Sequence, residues 1–195
     1  MRTADIHRTT AETDIRIGVN LDGTGQATIA TGIGFFDHML TLLARHSLID
    51  LVVAAKGDLD VDFHHTVEDT GIVLGQAIRK ALGDKIGIRR YGWCYLPMDE
   101  ALARVVLDIG GRPFMEFRST GNPDPVGGNF PFSLVEEFFR AFAFNLGANL
   151  HTEVLYGRDT HHMAEALFKG LAKSLLQAVD KDPRITRVMS TKEML

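Results

Sequence analysis

One cysteine, Cys94, stands alone in 195 residues. An intrachain disulfide is therefore excluded, and a reducing, cytoplasmic setting is expected. No apolar run approaches the ~20 residues that cross a bilayer. The opening Met1-Arg2-Thr3-Ala4-Asp5 holds no apolar core either, so no secretory signal is expected. Positive charge is not in excess: the net charge is −4, which argues against nucleic acid as a partner. No phosphate-binding loop is present, because Gly110-Gly111 lacks the Lys-Ser/Thr and the following helix of that motif. Asp58, Asp60 and Asp62 lack the glycine and the bidentate glutamate of a calcium loop, and a solvated loop is expected there. What remains is 45% hydrophobic and 24% charged, ordinary values for a globular protein with a sizeable core. The length suits one large domain or two intimate halves.

Within that frame one pattern occurs twice. His64-His65-Thr66-Val67-Glu68 returns as His161-His162-Met163-Ala164-Glu165, both His-His-x-x-Glu. With 8 His and 9 Glu in the chain, chance alone gives roughly 0.015 such pentads. On a helix the first His and the Glu are i,i+4 neighbours on one face. Adjacent histidines project about 100° apart, so they do not easily share one metal. They can serve two, one on each side. Two pentads facing each other would build two sites, each with ligands from both.

The rest of the chain repeats around the pentads. Residues 3–9 read as a strand. Asp14 to Asp22 alternates, with Ile15, Ile17, Val19 and Leu21 on one face. Asp22-Gly23 reads as a hairpin, with Gln26 to Thr31 as the returning strand. Phe35 to His46 has helical spacing, Ile49 to Ala54 reads as a strand, and the first pentad opens a helix that stops at Gly83. The second half reads Arg90 to Pro97, Ala101 to Ile109 and Pro113 to Ser119 as strands. A Gly/Pro/Asn-rich loop follows at 121–131. Ser133-x-x-Glu136 looks like a capping box for a helix ending at Gly147. Leu150 to Leu155 is a strand, and Thr160 is the expected cap of the second pentad helix. Each half is thus β-β-β-α-β-α: a first half-domain at 1–85, a second at 86–182, and a polar tail at 183–195.

The repeat also nominates further ligands. Aligning Asp37-His38-Met39-Leu40 on Glu136-Glu137-Phe138-Phe139 sets Glu137 at the position of His38. The candidate ligand set is His38, His64, His65, Glu68, Glu137, His161, His162 and Glu165, suited to manganese, iron or zinc. His151 lies in a strand pattern that the repeat pairs with Val52; it reads first as a structural histidine or one supporting a ligand, and otherwise as the ligand in place of Glu137. His7 is read as an ordinary surface or core histidine, and Phe138, Phe139, Phe142 and Phe144 as core. From residues alone the chain is a two-metal α/β protein binding an anionic small molecule. A dinuclear hydrolase and a non-catalytic metal-binding oligomer both stay open.

Four motifs in order go further. They are Gly34-Phe35-Phe36-Asp37-His38-Met39-Leu40, Asp62-Phe63-His64-His65-Thr66-Val67-Glu68-Asp69, Met98-Asp99-Glu100-Ala101 and the run from His161 to Lys169. Together they resemble the imidazoleglycerol-phosphate dehydratase family, over Arg8 to Lys192. The resemblance implies an α/β fold of the α+β type, with helices packed between two mixed four-stranded sheets. It implies loss of water from imidazole glycerol phosphate to give imidazole acetol phosphate, in histidine biosynthesis. It also implies two manganese (Mn2+) ions per active site that hold the imidazole as imidazolate. The assembly it implies is a 24-subunit homo-oligomer whose sites draw on neighbouring subunits, with no nucleic acid or membrane partner. Glu12 falls on the family's acid/base carboxylate, and His46 and Asp99 fall on positions lining the substrate. Arg90, Arg112, Lys169, Ser190 and Lys192 fall on phosphate-binding positions.

Overall fold

The computed structural model describes residues 1–119, 125–127 and 129–194. The expected 121–131 loop lies partly outside them. The elements run β1 Thr3–Thr9, β2 Thr13–Asn20, β3 Ala27–Ala30, α1 Gly34–Ser47, β4 Asp50–Gly57 and α2 His64–Leu82. The second set is β5 Tyr91–Met98, β6 Ala101–Asp108, β7 Phe114–Arg118, α3 Ser133–Leu146, β8 Asn149–Tyr156 and α4 Thr160–Val179. Each set is β-β-β-α-β-α and forms one four-stranded sheet, in the orders β1-β2-β4-β3 and β5-β6-β8-β7. The sheets are mixed: β3 and β7 run parallel to β4 and β8, and the other pairs are antiparallel. No helix among the described residues is long and apolar enough to cross a membrane.

Alternation sets the faces. Ile15, Ile17 and Val19 of β2, and Ala103, Val105 and Leu107 of β6, are buried against the helices. The helices lie between the sheets, and they exchange partners across the halves. α1 packs on α4, and α2 packs on α3. The halves therefore share one apolar core. Both helix pairs are parallel. Gly71 faces Phe138 and Ala141, and Gly75 faces Phe142 and Asn145 one turn on. His38 meets Glu165 near the start of its pair. Phe130 touches Phe35, Phe36 and Phe63, and Phe35 touches His161. The N-termini of all four helices thus gather at one end of the molecule.

Three local expectations are corrected. Asp22-Gly23 does not close a β2–β3 hairpin, because β1 and β4 occupy both edges of β2. The Asp50 carboxylate accepts from the Thr24 and Gln26 N–H groups at 2.8 and 2.9 Å. That turns the chain so that β3, α1 and β4 form a parallel crossover unit. Ser133 is not a cap: Phe132 occupies that position without a side-chain bond, and Glu136 pairs with Arg140 instead. Phe144 is 50% exposed, unlike its three buried neighbours in α3.

The closest helix contact gives a test. A Cβ at Gly75 would lie 2.6 Å from the Phe142 carbonyl oxygen, a backbone atom that cannot swing away. Gly75→Ala gains up to ~1 kcal/mol of helix propensity, but overpacking a closed core costs ~1–3 kcal/mol. The expected net result is a lower urea midpoint at fixed protein concentration. A raised midpoint would show that α2 and α3 are not in backbone contact.

Candidate active site

Both pentads open a helix at the end where the four N-termini meet. A carboxylate two residues upstream holds each start. Asp62 accepts from the His64 N–H at 2.7 Å. Asp159 accepts from the His161 and His162 N–H groups at 2.8 and 3.4 Å. Asp159, not Thr160, is the N-cap of α4. A negative side chain there satisfies free amides and complements the helix dipole. The repeated unit is therefore longer than the pentad, Asp-x-His-His-x-x-Glu.

Around the second pentad the ligand atoms converge. His38 Nε2 lies 2.9 Å and His161 Nε2 3.0 Å from the same Glu165 oxygen, Oε1. One donor atom from each of His38, His161 and Glu165 falls within 4.8 Å of the others, an arrangement able to hold a metal ion. Two imidazoles and a carboxylate suit manganese, iron or zinc. Lys169 Nζ donates to the other Glu165 oxygen. Burial pushes the Glu165 carboxyl up, but bonds from Lys169, His38 and His161 outweigh it and hold the group at about 2. Phe35 packs edge-on against His161, 5.3 Å between ring centroids.

The remaining predicted ligands are distributed otherwise. His64 Nε2 is 3.8 Å from Glu68, its i,i+4 partner. His65 donates Nδ1–H to Asp58 at 2.9 Å, and its Nε2 lies 3.8 Å from Glu12. His162 donates Nδ1–H to Glu100 at 2.7 Å, and its Nε2 lies 3.7 Å from Asp99. α1 and α3 are both 14 residues long, and His38 and Glu137 are the fifth residue of each. Glu137 is half-buried and has no hydrogen bond or ion pair with either pentad among the described residues. His151 is exposed on the outer face of the second sheet, beside Phe114. The chain by itself brings neither Glu137 nor His151 to the cluster.

The acidic segments are more than solvated loops. Asp58, expected to face water, anchors His65. Glu100 bonds His162 and also accepts from the Arg158 and Asp159 N–H groups at 3.1 and 2.8 Å. The Asp159 amide, His162 and the Arg158 amide together hold its carboxyl at about 2. Asp99 sits at φ 45°, a conformation found at turns and functional sites. Glu12 lies on the β1–β2 turn, which is braced on α2: Thr10 Oγ1 accepts from the Glu12 and Thr13 amides, and Thr13 bonds the buried Asp69. Sequence reasoning missed Asp69 and Asp159, read Asp58 as a solvated loop residue, and weighed Glu100 only as an acid/base or an exposed strand-start residue. Only Asp159 left a readable sign, the shared Asp two residues before each His-His. His46, on the last turn of α1, has a pKa lowered first by burial, then by Lys173 and Lys169.

Four of the five predicted phosphate residues gather elsewhere. Arg90, Arg112, Ser190 and Lys192 line one cavity of about 390 Å³, with Gly110, Gly111, Thr191 and Met194. The tail is held there by the Arg90 NH1 bond to the Met189 carbonyl, 2.7 Å. Lys169, the fifth, belongs to the Glu165 cluster. The Arg90 amide bonds the Ala178 carbonyl at the end of α4. His161 is at the start of that helix, ~25 Å away at 1.5 Å per residue.

The chain was compared with known proteins. A family model described as imidazoleglycerol-phosphate dehydratase matches residues 31–175. Curated proteins of that name include one from Akkermansia muciniphila, 61% identical, and one from Methylorubrum populi, 59% identical, each covering all of both chains. Among solved structures, the imidazoleglycerol-phosphate dehydratase of Staphylococcus aureus superposes with a TM-score of 0.83. It is 40% identical, over 92% of this chain and 99% of that one. An IGPD from Pyrococcus furiosus, in complex with (S)-C348, gives 0.82 at 37% identity, over 97% and 100%.

The cluster predicts a local effect on metal. Glu165→Gln is expected to lower bound divalent metal roughly tenfold or more, since even outer partners of a ligand have effects of that size. Arg112→Gln, in the distant cavity, is expected to leave it unchanged. Elemental analysis after desalting reads both. Equal metal content in Glu165→Gln and the parent would remove the cluster as a metal site.

Proposed function

The chain belongs to the imidazoleglycerol-phosphate dehydratase family, a hydro-lyase of histidine biosynthesis, and we propose that it works as a cytoplasmic manganese enzyme whose active sites are completed between subunits. The observation that carries this reading is the convergence of His38, His161 and Glu165 within 4.8 Å. It is a nitrogen- and carboxylate-rich donor set at the head of a repeated motif. His64, His65, Glu68 and His162 supply the remaining donors, with Glu137 or His151 as the last. Ions held by these residues would supply positive charge that favours the imidazolate form of the substrate ring.

The protein's own groups do the rest. The substrate loses the hydroxyl beside the ring as water and a proton from the next carbon, and the resulting enol becomes the ketone. Glu12 is the proton carrier at that carbon, on a turn braced by Thr10, Thr13 and Asp69. Asp99, 3.7 Å from the His162 Nε2, lines the substrate from the second half. Arg112 and Lys192 bind the phosphate through charge-assisted hydrogen bonds, Arg112 in paired fashion. Ser190 adds a hydroxyl.

Sharing between subunits follows from length. Ring and phosphate of the substrate are joined through a few bonds, on the order of 7 Å. The cluster and the phosphate cavity of one chain stand ~25 Å apart along α4. One substrate cannot touch both in one chain. A neighbour's cavity therefore closes each metal site, in a symmetric homo-oligomer that we take to be the 24-subunit shell.

Four measurements test this. Formation of imidazole acetol phosphate stops when a chelator has removed all metal, and manganese restores it; full turnover without metal would end the reading. Phosphate release in place of ketone would favour the hydrolase. Glu12→Gln is expected to slow turnover by ~10²–10⁴-fold at unchanged metal content. Co-assembled Glu165→Gln and Arg112→Gln chains, each inactive alone, regain about a quarter of the parent activity when sites draw on two subunits. No recovery would confine the site to one chain.

A further inference from the structure

We propose that Asp58 and Glu100 are positioning residues that fix His65 and His162 with the proton on Nδ1, leaving each Nε2 lone pair free for a metal. The proposal rests on the metal-dependent reading above and adds two residues to it. A carboxylate can only accept, so the bonds at 2.9 and 2.7 Å require Nδ1–H on both rings. In a neutral imidazole the other nitrogen then carries the lone pair. Each Nε2 points toward a second carboxylate, Glu12 at 3.8 Å and Asp99 at 3.7 Å. Neither is close enough to take a proton from it, and the space between is acidic. An anchored imidazole with its free nitrogen toward carboxylates is the arrangement that an outer carboxylate gives a metal-binding histidine.

An accident of an acidic surface does not account for the pair. The anchors come from positions that the duplication does not relate. Asp58 directly follows β4, and the residue that follows β8 is Gly157. Glu100 directly precedes β6, and the residue that precedes β2 is Glu12, which lies on the Nε2 side of its histidine. A copied half would have carried its anchor along in register. Instead the two halves reach the same ring geometry from different strand ends, so the constraint lies in the rings themselves. Both anchoring side chains are about one-quarter exposed, which leaves the bonds partly shielded from water.

The two anchors differ in a way that makes the test specific. Glu100 uses one oxygen, Oε1, for the Arg158 and Asp159 amides and the other, Oε2, for His162. In Glu100→Gln the carbonyl oxygen keeps the backbone bonds, and the NH2 group faces Nδ1. The ring must then accept, and its proton moves to Nε2. Asp58 has its second oxygen, Oδ1, buried without a partner among the described residues, so Asp58→Asn can present its carbonyl to His65 and keep the tautomer. The expected order is a ~10–100-fold weaker metal affinity for Glu100→Gln and a loss of only a few-fold for Asp58→Asn. Asp58→Ala, which removes the acceptor, falls with Glu100→Gln.

The measurements are manganese titration of the assembled protein, thermal unfolding, and histidine ring 15N shifts of the metal-free protein. Weaker metal binding at an unchanged melting temperature, with the His162 proton on Nε2 in Glu100→Gln, supports the proposal. Parent-like affinity in Glu100→Gln and Asp58→Ala overturns it, as does an affinity loss that only tracks lost stability. If the parent binds no metal, the metal-dependent function fails. The ring shifts still decide whether the two carboxylates set the tautomers.

Discussion

The four helices run parallel in two pairs with their N-termini at one end, and the rest of the molecule follows from that polarity. Four positive dipole ends share that end. They draw carboxylates, and the residues there are Asp37, Asp58, Asp62, Asp99, Glu100, Asp159 and Glu165. A cation at such an end is unfavourable unless acidic groups outnumber it. That surplus suits the metal proposed at His38, His161 and Glu165. At the opposite end α1 closes with Arg45 and His46, while α3 and α4 have no basic residue in the last turn. Helix C-termini favour Arg and Lys, and α2 ends with Arg79 and Lys80. Lys85 and Arg90 lie beyond it, and Arg90 lines the phosphate cavity. The proposed metal ligands and four of the five proposed phosphate ligands thus lie at opposite ends, and the proposed sharing between subunits rests on that separation.

Duplication built the halves alike where packing demanded it and let them diverge elsewhere. Both sheets have the same strand order, and α1 and α3 are equal in length. The outer faces differ. The first carries Asp5, Asp14, Arg16 and Lys56, ion-paired or solvated. The second exposes Trp93 at 62% and Tyr95 at 59%. Its strand β5 is a sheet edge, and Gln177 shields it by bonding both the N–H and the carbonyl of Trp93. His151 stands on this second face where the first has Val52. The histidine anchors of the two halves diverge in position and agree in geometry.

How much was legible divides along physical lines. Alternation gave β2 and β6, and the pentads gave α2 and α4, because both signals are local periods of the chain. The place of β3 was not legible. It depends on Asp50 collecting the amides of Thr24 and Gln26, a contact 24 to 26 residues distant that outweighs the hairpin signal of Asp22-Gly23. The candidate cluster was half legible: His161 and Glu165 share a helix, whereas His38 joins them only through the packing of α1 on α4. Glu137 and His38 are each the fifth residue of a 14-residue helix, yet Glu137 sits on the helix that packs on α2 and makes no hydrogen bond or ion pair with a pentad among the described residues. Asp58 and Glu100 had no local signature, since an acidic turn in solvent reads the same.

The residues of the Arg90–Lys192 cavity could be nominated only by resemblance, not by pattern. Ser190 and Lys192 lie in a polar tail with no period to read. The tail is fixed by single contacts: the Gly87 amide to the Arg187 carbonyl, Asp182 to Arg184 at 2.6 Å, and Arg90 to the Met189 carbonyl. Arg90 gives its paired face to Asp108, at 2.6 and 3.0 Å. Of the cavity's three cations, Arg90, Arg112 and Lys192, one is therefore neutralised, and two charges remain. Two charges would suit the proposed phosphate dianion, with Arg90 paired to Asp108 and holding the tail through Met189.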